Sequence, residues 1–285
     1  MEWQRLVEIH DANSGQFGTG YLLANRLVLT AAHVVDGLDT TQVRLFEPDE
    51  DGLPGPMGGR THARVAWSGG TALDLALLTP LDAPFRSGRI RPASVARLAE
   101  RPAVRVDALG FPRAMDTPAH SDTLHVEALV SAWTGLRGQA LVLDVQTARP
   151  EERDAWQGMS GAAVFAGDRI VAVIAAVPAK LARSALRATR ADLAFHDQAA
   201  AALLEEAGLS RTIPAVDAAY VDSLPRAGHW GEVRDRYTRS VVTNLCRIDH
   251  VGFSVAGGTD RRTPALAAFT AQRFSLWPKP ASRTR

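Results

Sequence analysis

The chain has 285 residues, of which 46% are hydrophobic and 22% charged, and its 32 basic and 31 acidic side chains leave a formal net charge of +1. This composition is typical of a globular protein with enough apolar residues for a full core, so disorder of the whole chain is excluded. The balanced charge gives no reason to expect nucleic acid as a partner.

The first residues predict neither export nor membrane insertion. Acidic residues stand where a signal peptide has its basic region, and no apolar run approaches the ~18 residues of a membrane helix. The single cysteine, Cys246, cannot form an internal disulfide. We therefore expect a cytoplasmic protein without a membrane partner, provided that Met1 is the natural start.

Short β-rich segments follow one another in the first part of the chain. The apolar runs at residues 21–23 and 26–30 predict a hairpin, and the second run leads directly to His33. Another short apolar strand is predicted at residues 75–78, immediately after Asp74. An acid at the mouth of a buried strand needs a hydrogen-bond partner, and the His33 ring is the partner we expect.

Short β-rich segments also occur in the middle of the chain. Residues 47–59 are acidic and then rich in Pro and Gly, which predicts a long exposed loop. Repeated short strands favour a β-barrel or sandwich over a βαβ fold. After that loop they are predicted at residues 104–109, 124–130, 140–145, 162–165 and 170–177.

Ser160 lies between Gly158 and Gly161. Glycines on both sides allow the loop to turn tightly enough to aim the backbone N–H groups of Gly158 and Ser160 at one point, as an oxyanion hole requires. A serine hydroxyl also needs an imidazole to take its proton and an acid to orient that imidazole. His33 and Asp74 supply these groups, in the chain order His, Asp, Ser that accompanies the chymotrypsin fold.

Three segments together resemble the motifs of the trypsin-like (chymotrypsin-fold) serine proteases of the bacterial, disulfide-free type. They are the Thr-Ala-Ala-His segment that ends at His33, the Asp-Leu-Ala-Leu-Leu segment that begins at Asp74, and the Gly-Met-Ser-Gly turn around Ser160. The resemblance covers about residues 1–195. It implies an all-β fold, a chymotrypsin-like double β-barrel with a C-terminal helical extension.

The resemblance also implies an activity and a set of roles. The activity is that of a serine endopeptidase, which hydrolyses the peptide bonds of a protein or peptide through an acyl-enzyme. His33 would be the general base, Asp74 the orienting carboxylate and Ser160 the nucleophile, while the N–H groups of Gly158 and Ser160 would form the oxyanion hole. The other histidines show no metal-ligand spacing, so we expect no metal and no cofactor.

The motifs indicate the substrate specificity less clearly than they indicate the catalytic roles. Asp154, six residues before Ser160, resembles the acid that selects Arg or Lys in trypsin, although a charged surface loop is the alternative for this segment. Val177 stands where many members of the family have Gly, which would narrow the pocket. Met159 stands where trypsin-like zymogens have an Asp, so we expect no activation by a freed N-terminus.

The composition and spacing of the residues change near residue 181. Residues 181–186 and 195–206 are rich in Ala and Leu with helical spacing, and Gly208 is the predicted helix stop. We expect the C-terminal part to offer a binding site for a partner domain or protein. The predicted division is a protease domain at 1–195 with barrels at about 1–90 and 100–180, a helical extension at 196–250, and a basic, loosely ordered tail at 251–285.

Two functions from different classes stay open. The first is an intracellular serine endopeptidase, and the family's cytoplasmic members with helical extensions suggest a protease module of a bacterial regulatory or conflict system. The second is a catalytically silent protease-fold module whose cleft binds a peptide or a partner protein. The presence of His33, Asp74 and Ser160 together favours the first.

Overall fold

The computed structural model describes most of the chain up to residue 223. Val177, Cys246, the predicted tail at 251–285 and the part of the predicted extension beyond residue 223 lie outside the described residues. The described residues are 2–11, 15, 17–48, 54–86, 90–99, 103–116, 122–130, 140–147, 154–176 and 185–223.

Among the described residues, seven strands form the N-terminal half: β1 (Leu6–His10), β2 (Phe17–Ala24), β3 (Leu27–Thr30), β4 (Thr40–Pro48), β5 (Pro54–Met57), β6 (Thr61–Ser68) and β7 (Ala76–Pro80). Their antiparallel order is β1-β2-β3-β7-β6-β4-β5, and β1 also pairs with β4. Six strands therefore close into a barrel, and β5 is added to it as the second strand of a hairpin. A single-turn helix, α1 (Gly70–Leu73), connects β6 to β7.

The prediction of one long loop at residues 47–59 is wrong in part. β4 continues to Pro48, and β5 pairs Met57 with Phe46 and Pro54 with Pro48. Proline cannot donate a ladder hydrogen bond, but β5 is an edge strand, where proline is tolerated. Composition alone therefore indicated a loop where the chain forms a short hairpin.

The second half contains β8 (Arg97–Leu98), β9 (Val104–Gly110), β10 (Leu124–Val130), β11 (Ala140–Val145), β12 (Ala163–Ala166), β13 (Arg169–Ala176) and β14 (Ala185–Arg190). The last six form a closed barrel in the order β10-β11-β14-β13-β12-β9. Their pairings are antiparallel throughout. The predicted all-β double barrel is thus confirmed.

The helical spacing predicted at residues 181–186 is wrong for Ala185 and Leu186, which begin β14. This strand pairs with β11 on one side and with β13 on the other, so it closes the second barrel. The barrel consequently extends to Arg190 and not only to about residue 180. Ala and Leu favour helices as isolated residues, but pairing on both edges and burial outweigh that weak preference.

A helix follows the second barrel, as the sequence predicts. α2 (Gln198–Glu206) begins after Asp197, whose side chain accepts hydrogen bonds from the first turn of the helix. Gly208, at φ +84°, ends it, and Leu204 is buried in the core cluster that also contains Phe165. No helix in the part of the chain that the structure describes is long and apolar enough to cross a lipid bilayer.

The last described segment returns to the second barrel. β15 (Ala215–Val216) pairs in parallel with β8, and α3 (Ala218–Ser223) follows. The Tyr220 hydroxyl accepts a hydrogen bond from Arg169 Nε at 2.8 Å and donates one to Asp168 Oδ1 at 2.5 Å. This segment is therefore attached both by backbone pairing and by a side-chain contact to the turn before β13.

Tyr21 connects the two barrels and carries a pH-dependent prediction. Its ring packs edge to face against Phe165 with the centroids 5.0 Å apart, and only 4% of the residue is exposed. Burial raises the pKa of Tyr21 to about 12, although the hydrogen bond from the Glu2 amide and the charge of Arg5 oppose the rise. The folded protein thus holds this proton to a higher pH than the unfolded chain, whose tyrosine pKa is about 10.

Stability should therefore be unaffected by Tyr21 below about pH 10 and should decrease above it, by about 1.4 kcal/mol per pH unit, until the folded-state pKa is passed. Tyr21→Phe should remove this part of the alkaline decrease. Urea unfolding of both proteins from pH 8 to 11.5 measures the effect. All other titrating groups are the same in the two proteins, so a difference in slope belongs to Tyr21. The same slope in both proteins would contradict the prediction.

Candidate functional site

His33 and Asp74 come together at the ends of two neighbouring strands. A 3-10 turn at Ala32–Val35 follows β3 and carries His33, and Asp74 lies between α1 and β7. β3 pairs directly with β7, with Thr30 opposite Ala76. The residue that follows one strand and the residue that precedes the other therefore lie at the same edge of the first barrel.

The two side chains form a close pair. His33 Nδ1 is 2.9 Å from Oδ1 and 3.0 Å from Oδ2 of Asp74, and the His33 backbone N–H donates to Oδ1 at 3.0 Å. A carboxylate can only accept, so the Nδ1 atom carries the proton and Nε2 is left as an acceptor. The side chains of His33 and Asp74 are 46% and 23% exposed, which leaves the imidazole accessible to a substrate.

The backbone at Asp74 is adapted to this position. Its φ of +49° is left-handed, a conformation that Asp tolerates better than most residues other than Gly. Its N–H donates to the carbonyl of Gly70 at 2.8 Å, which closes the turn of α1. The short helix therefore sets the direction in which the carboxylate leaves the chain.

The turn around Ser160 needs both of its glycines. Gly158 has φ +94° and Gly161 has φ +90°. A Cβ atom would lie 2.1 Å from the Phe111 carbonyl oxygen at Gly158 and 1.9 Å from the Thr19 carbonyl oxygen at Gly161. Only glycine fits at either position, because any side chain would meet backbone atoms of the neighbouring segments.

The Gly158 N–H belongs to a peptide unit whose carbonyl is held in place. That carbonyl is the one of Gln157, and it accepts a hydrogen bond from the Arg113 N–H at 2.7 Å. In a planar trans peptide the N–H points opposite to the C=O. The bond from Arg113 therefore fixes the direction of the Gly158 N–H.

The same reasoning applies to the Ser160 N–H. Its peptide unit carries the Met159 carbonyl, which accepts a hydrogen bond from the Ala162 N–H at 3.0 Å. Within the part of the chain that the structure describes, no residue accepts a hydrogen bond from the N–H of Gly158 or Ser160. Two oriented, unpaired amide donors thus flank the hydroxyl of Ser160.

The Ser160 hydroxyl lies in a cavity that also contains His33. The cavity measures about 580 Å³ and is lined by both residues together with Gly158, Phe17 and Arg113, among others. The hydroxyl donates a long hydrogen bond, 3.4 Å, to the carbonyl oxygen of Ala175. The structure therefore brings the four predicted residues His33, Asp74, Gly158 and Ser160 to one place.

Sequence reasoning missed the role of Thr19. This residue is fully buried on β2. Its hydroxyl donates a hydrogen bond to the Gly158 carbonyl at 2.6 Å and accepts one from the Phe111 N–H at 3.0 Å. Its backbone N–H donates to the Ser160 carbonyl at 2.8 Å. The first barrel thus holds the serine turn of the second. A polar residue between two glycines in an otherwise apolar strand was the available signal.

Of the two residues predicted for specificity, Asp154 does not reach the cavity that contains Ser160. Asp154 begins a 3-10 turn, Asp154–Trp156, its side chain is exposed, and it does not line the cavity beside Ser160. Val177 is outside the described residues. The prediction of an Arg or Lys pocket built on Asp154 therefore finds no support in the arrangement around Ser160.

A group of possible metal ligands lies on the second barrel. Glu127 on β10 is directly opposite Asp107 on β9, and the ligand atoms of these two residues and of His125 lie within 4.8 Å of one another. His125 Nε2 is 3.1 Å from Asp107 Oδ1. Sequence spacing could not show this group, because strand pairing assembles it. It does not line the cavity beside Ser160.

Gly161→Ala should destabilise the protein strongly. Besides the contact with Thr19, the added methyl group would lie 2.2 Å from Thr30 Oγ1 in a left-handed backbone. We expect a loss of about 3 to 5 kcal/mol in the free energy of unfolding, from overpacking and backbone strain together. Gly37→Ala is the matched control, since Gly37 also has a positive φ, +73°, but nothing lies within 4 Å of its Cβ position.

Gly37→Ala should lower the free energy of unfolding by only about 1 kcal/mol, because it adds the strain of a left-handed backbone but no overpacking. Urea unfolding curves of the two variants and the wild type measure both effects. Equal losses in the two variants would show that packing against the first barrel does not constrain the serine turn.

The two barrels, the His33–Asp74 pair and the serine turn define the class of trypsin-like peptidases. A family model described as a trypsin-like peptidase domain matches residues 18–173. This match covers more than half of the chain. The chain therefore belongs to the trypsin-like peptidase domain family.

Solved structures with a similar fold include proteases at low sequence identity. The serine endoprotease from Yersinia pestis is 18% identical, with a TM-score of 0.48 over 72% of this chain and 63% of that one. Deg5 is 15% identical, with a TM-score of 0.49 over 73% and 92% of the two chains. Human heparin binding protein is 17% identical, with a TM-score of 0.49 over 66% and 86%.

The chain thus spans less than two thirds of the Yersinia pestis chain that it matches. No curated protein sequence matches it.

Proposed function

We propose that this protein is a serine endopeptidase that hydrolyses peptide bonds through an acyl-enzyme on Ser160. The observation that supports this most is the His33 imidazole, bound through Nδ1 to both oxygens of Asp74 and lining the same cavity as Ser160. An imidazole in this tautomer offers Nε2 as the base that a serine nucleophile needs.

In the first step, Ser160 Oγ attacks the carbonyl carbon of the scissile peptide bond and its proton passes to His33 Nε2. The hydroxyl must first turn away from the Ala175 carbonyl, and its 3.4 Å hydrogen bond there is weak enough to allow this. The carbonyl π electrons move to the oxygen, which becomes an oxyanion. The free N–H groups of Gly158 and Ser160 are the donors that stabilise it.

In the second step, the C–N bond breaks and the leaving amine takes the proton from His33 Nε2, which leaves an ester on Ser160. A water molecule then attacks this ester and gives a proton to His33 Nε2. The bond between the acyl carbon and Ser160 Oγ breaks, Oγ takes the proton back from His33, and the carboxylic acid product departs. Asp74 keeps the ring oriented through both steps. Besides the water molecule, these steps use the side chains of Ser160, His33 and Asp74 and the two amide groups.

A fluorophosphonate probe tests the proposal directly, because it reacts covalently with a base-activated serine. We expect labelling of the wild type, none of Ser160→Ala and strongly reduced labelling of His33→Ala. Ser210→Ala is the control for the exposed serines of the chain and should be labelled like the wild type. A folded but unlabelled wild type would overturn the proposal and favour a silent module that binds a peptide or partner protein.

Several finer assignments are proposals that rest on the sequence. We infer a cytoplasmic protease module of a bacterial regulatory or conflict system. In this proposal, residues 196–250 are an extension that binds a partner domain or protein, and residues 251–285 are a basic tail. Comparing proteins that co-purify with the full chain and with a chain ending at residue 223 tests the proposed partner site.

A further inference from the structure

A second cavity lies on the other side of the His33–Asp74 pair. It measures about 550 Å³, and His33 and Asp74 form part of its wall. The end of β13 contributes Ala175 and Ala176, and β14 contributes Arg187. His33 lines both this cavity and the one that contains Ser160. The second cavity therefore adjoins the proposed general base.

Arg187 is the cationic side chain that this wall presents. It is exposed on β14 opposite the small Ala176. Within the described residues it has no hydrogen bond or ion pair, and it is the one Lys or Arg that lines this cavity. Unlike a surface arginine in an ion pair, it is available to a bound ligand.

The acids in the same wall are already engaged. Both oxygens of Asp74 are in contact with His33. Asp36 has an interaction partner of its own. The remaining lining is largely apolar, for example Leu73 and Leu193. The wall thus combines apolar contact with two carboxylates that already have partners and one guanidinium group that has none within the described residues.

In the proposed mechanism the substrate carbonyl lies at Ser160 and its leaving group takes a proton from His33, so the substrate lies against the His33 ring. Because His33 also lines the second cavity, that cavity is a place where a substrate side chain near the cleaved bond can bind. Arg187 is the cationic group that such a side chain would meet there.

We propose that this cavity binds an acidic side chain of the substrate, Asp or Glu, through the Arg187 guanidinium. The proposal rests on the proposed peptidase function and names the substrate class of the same site. A guanidinium can hold a carboxylate by two parallel hydrogen bonds. The resulting specificity is opposite in charge to the one predicted from Asp154, because a guanidinium group attracts a carboxylate, whereas a carboxylate attracts the side chain of Lys or Arg.

The effect on specificity should be moderate. Partly exposed ion pairs contribute little, so we expect about a fivefold preference for Asp or Glu over Gln at one position flanking the cleaved bond. Lys or Arg at that position should be disfavoured further. The preference should diminish as the salt concentration rises from 50 mM to 1 M, because screening weakens exposed pairs.

The experiment profiles a positional-scanning peptide library in two ways. The wild type is scored by cleavage, and Ser160→Ala is scored by equilibrium binding, which needs no catalysis. Arg187→Glu is introduced into both backgrounds. Arg105→Glu is the matched control, since Arg105 is also exposed on a strand of the second barrel but lines neither cavity.

Support would be a preference for Asp or Glu at one position, changed to a preference for Lys or Arg in Arg187→Glu and unchanged in Arg105→Glu. Cleavage or binding without an acidic preference would overturn this proposal and leave the peptidase function intact. Acid-selective binding without cleavage or fluorophosphonate labelling would support the cavity assignment and contradict the peptidase function. No selective binding at all would overturn the cavity assignment on its own.

Discussion

Ser160→Ala should lower kcat for peptide hydrolysis by about 10⁶-fold, the loss expected when a nucleophile that works together with its base is removed. The substitution deletes one oxygen, whose hydrogen bond is a long one to the Ala175 carbonyl. The glycines that shape the turn and the contacts of Thr19 with Gly158 stay in place. The variant should therefore fold like the wild type.

Some hydrolysis should survive in Ser160→Ala, about 10³- to 10⁴-fold above the uncatalysed rate, because the amide donors and substrate binding remain. The measurement is the single-turnover cleavage rate of a peptide that the wild type cleaves, with the urea midpoint as the test of folding. A rate within tenfold of the wild type would show that Ser160 is not the nucleophile.

Asp74→Asn should lower kcat by about 10⁴-fold with little change in the position of His33. The carboxylate now accepts from both the backbone N–H and Nδ1 of His33. An amide has one oxygen and one NH₂ group, so it places a donor beside Nδ1. The imidazole then favours the tautomer with the proton on Nε2, which cannot take the proton of Ser160.

The measurement for Asp74→Asn is kcat and KM for the same peptide. We expect kcat to fall and KM to change little, because the substitution leaves the size of the side chain unchanged. Asp82→Asn is the control, an exposed acid in the same barrel that lines neither cavity, and it should retain wild-type rates. Equal rates for the two variants would remove Asp74 from the proposed mechanism.

The parts of the fold that the sequence predicted are those with strong local signals. The strand before His33 and the strand after Asp74 are continuous apolar runs, and they are β3 and β7 of the structure. The glycines beside Ser160 both have positive φ values, as a tight turn there requires. In these places the local preference and the tertiary structure agree.

The predictions failed where pairing outweighed local preference. β5 contains two prolines and was interpreted as a loop, but an edge strand can accept them. β14 begins with Ala and Leu and was interpreted as helical, but it is needed to close the second barrel between β11 and β13. Neither environment is visible in a window of neighbouring residues.

By itself, the sequence predicted the fold class and the four residues proposed for catalysis, because three short motifs occur together in one chain order. Only the tertiary structure decided how they are held. Three arrangements join residues distant in the chain: the contact between His33 and Asp74, the attachment of the serine turn to Thr19, and the lining of one cavity by Arg187 and His33. Such contacts depend on strand order and register, which long-range packing sets and local sequence does not.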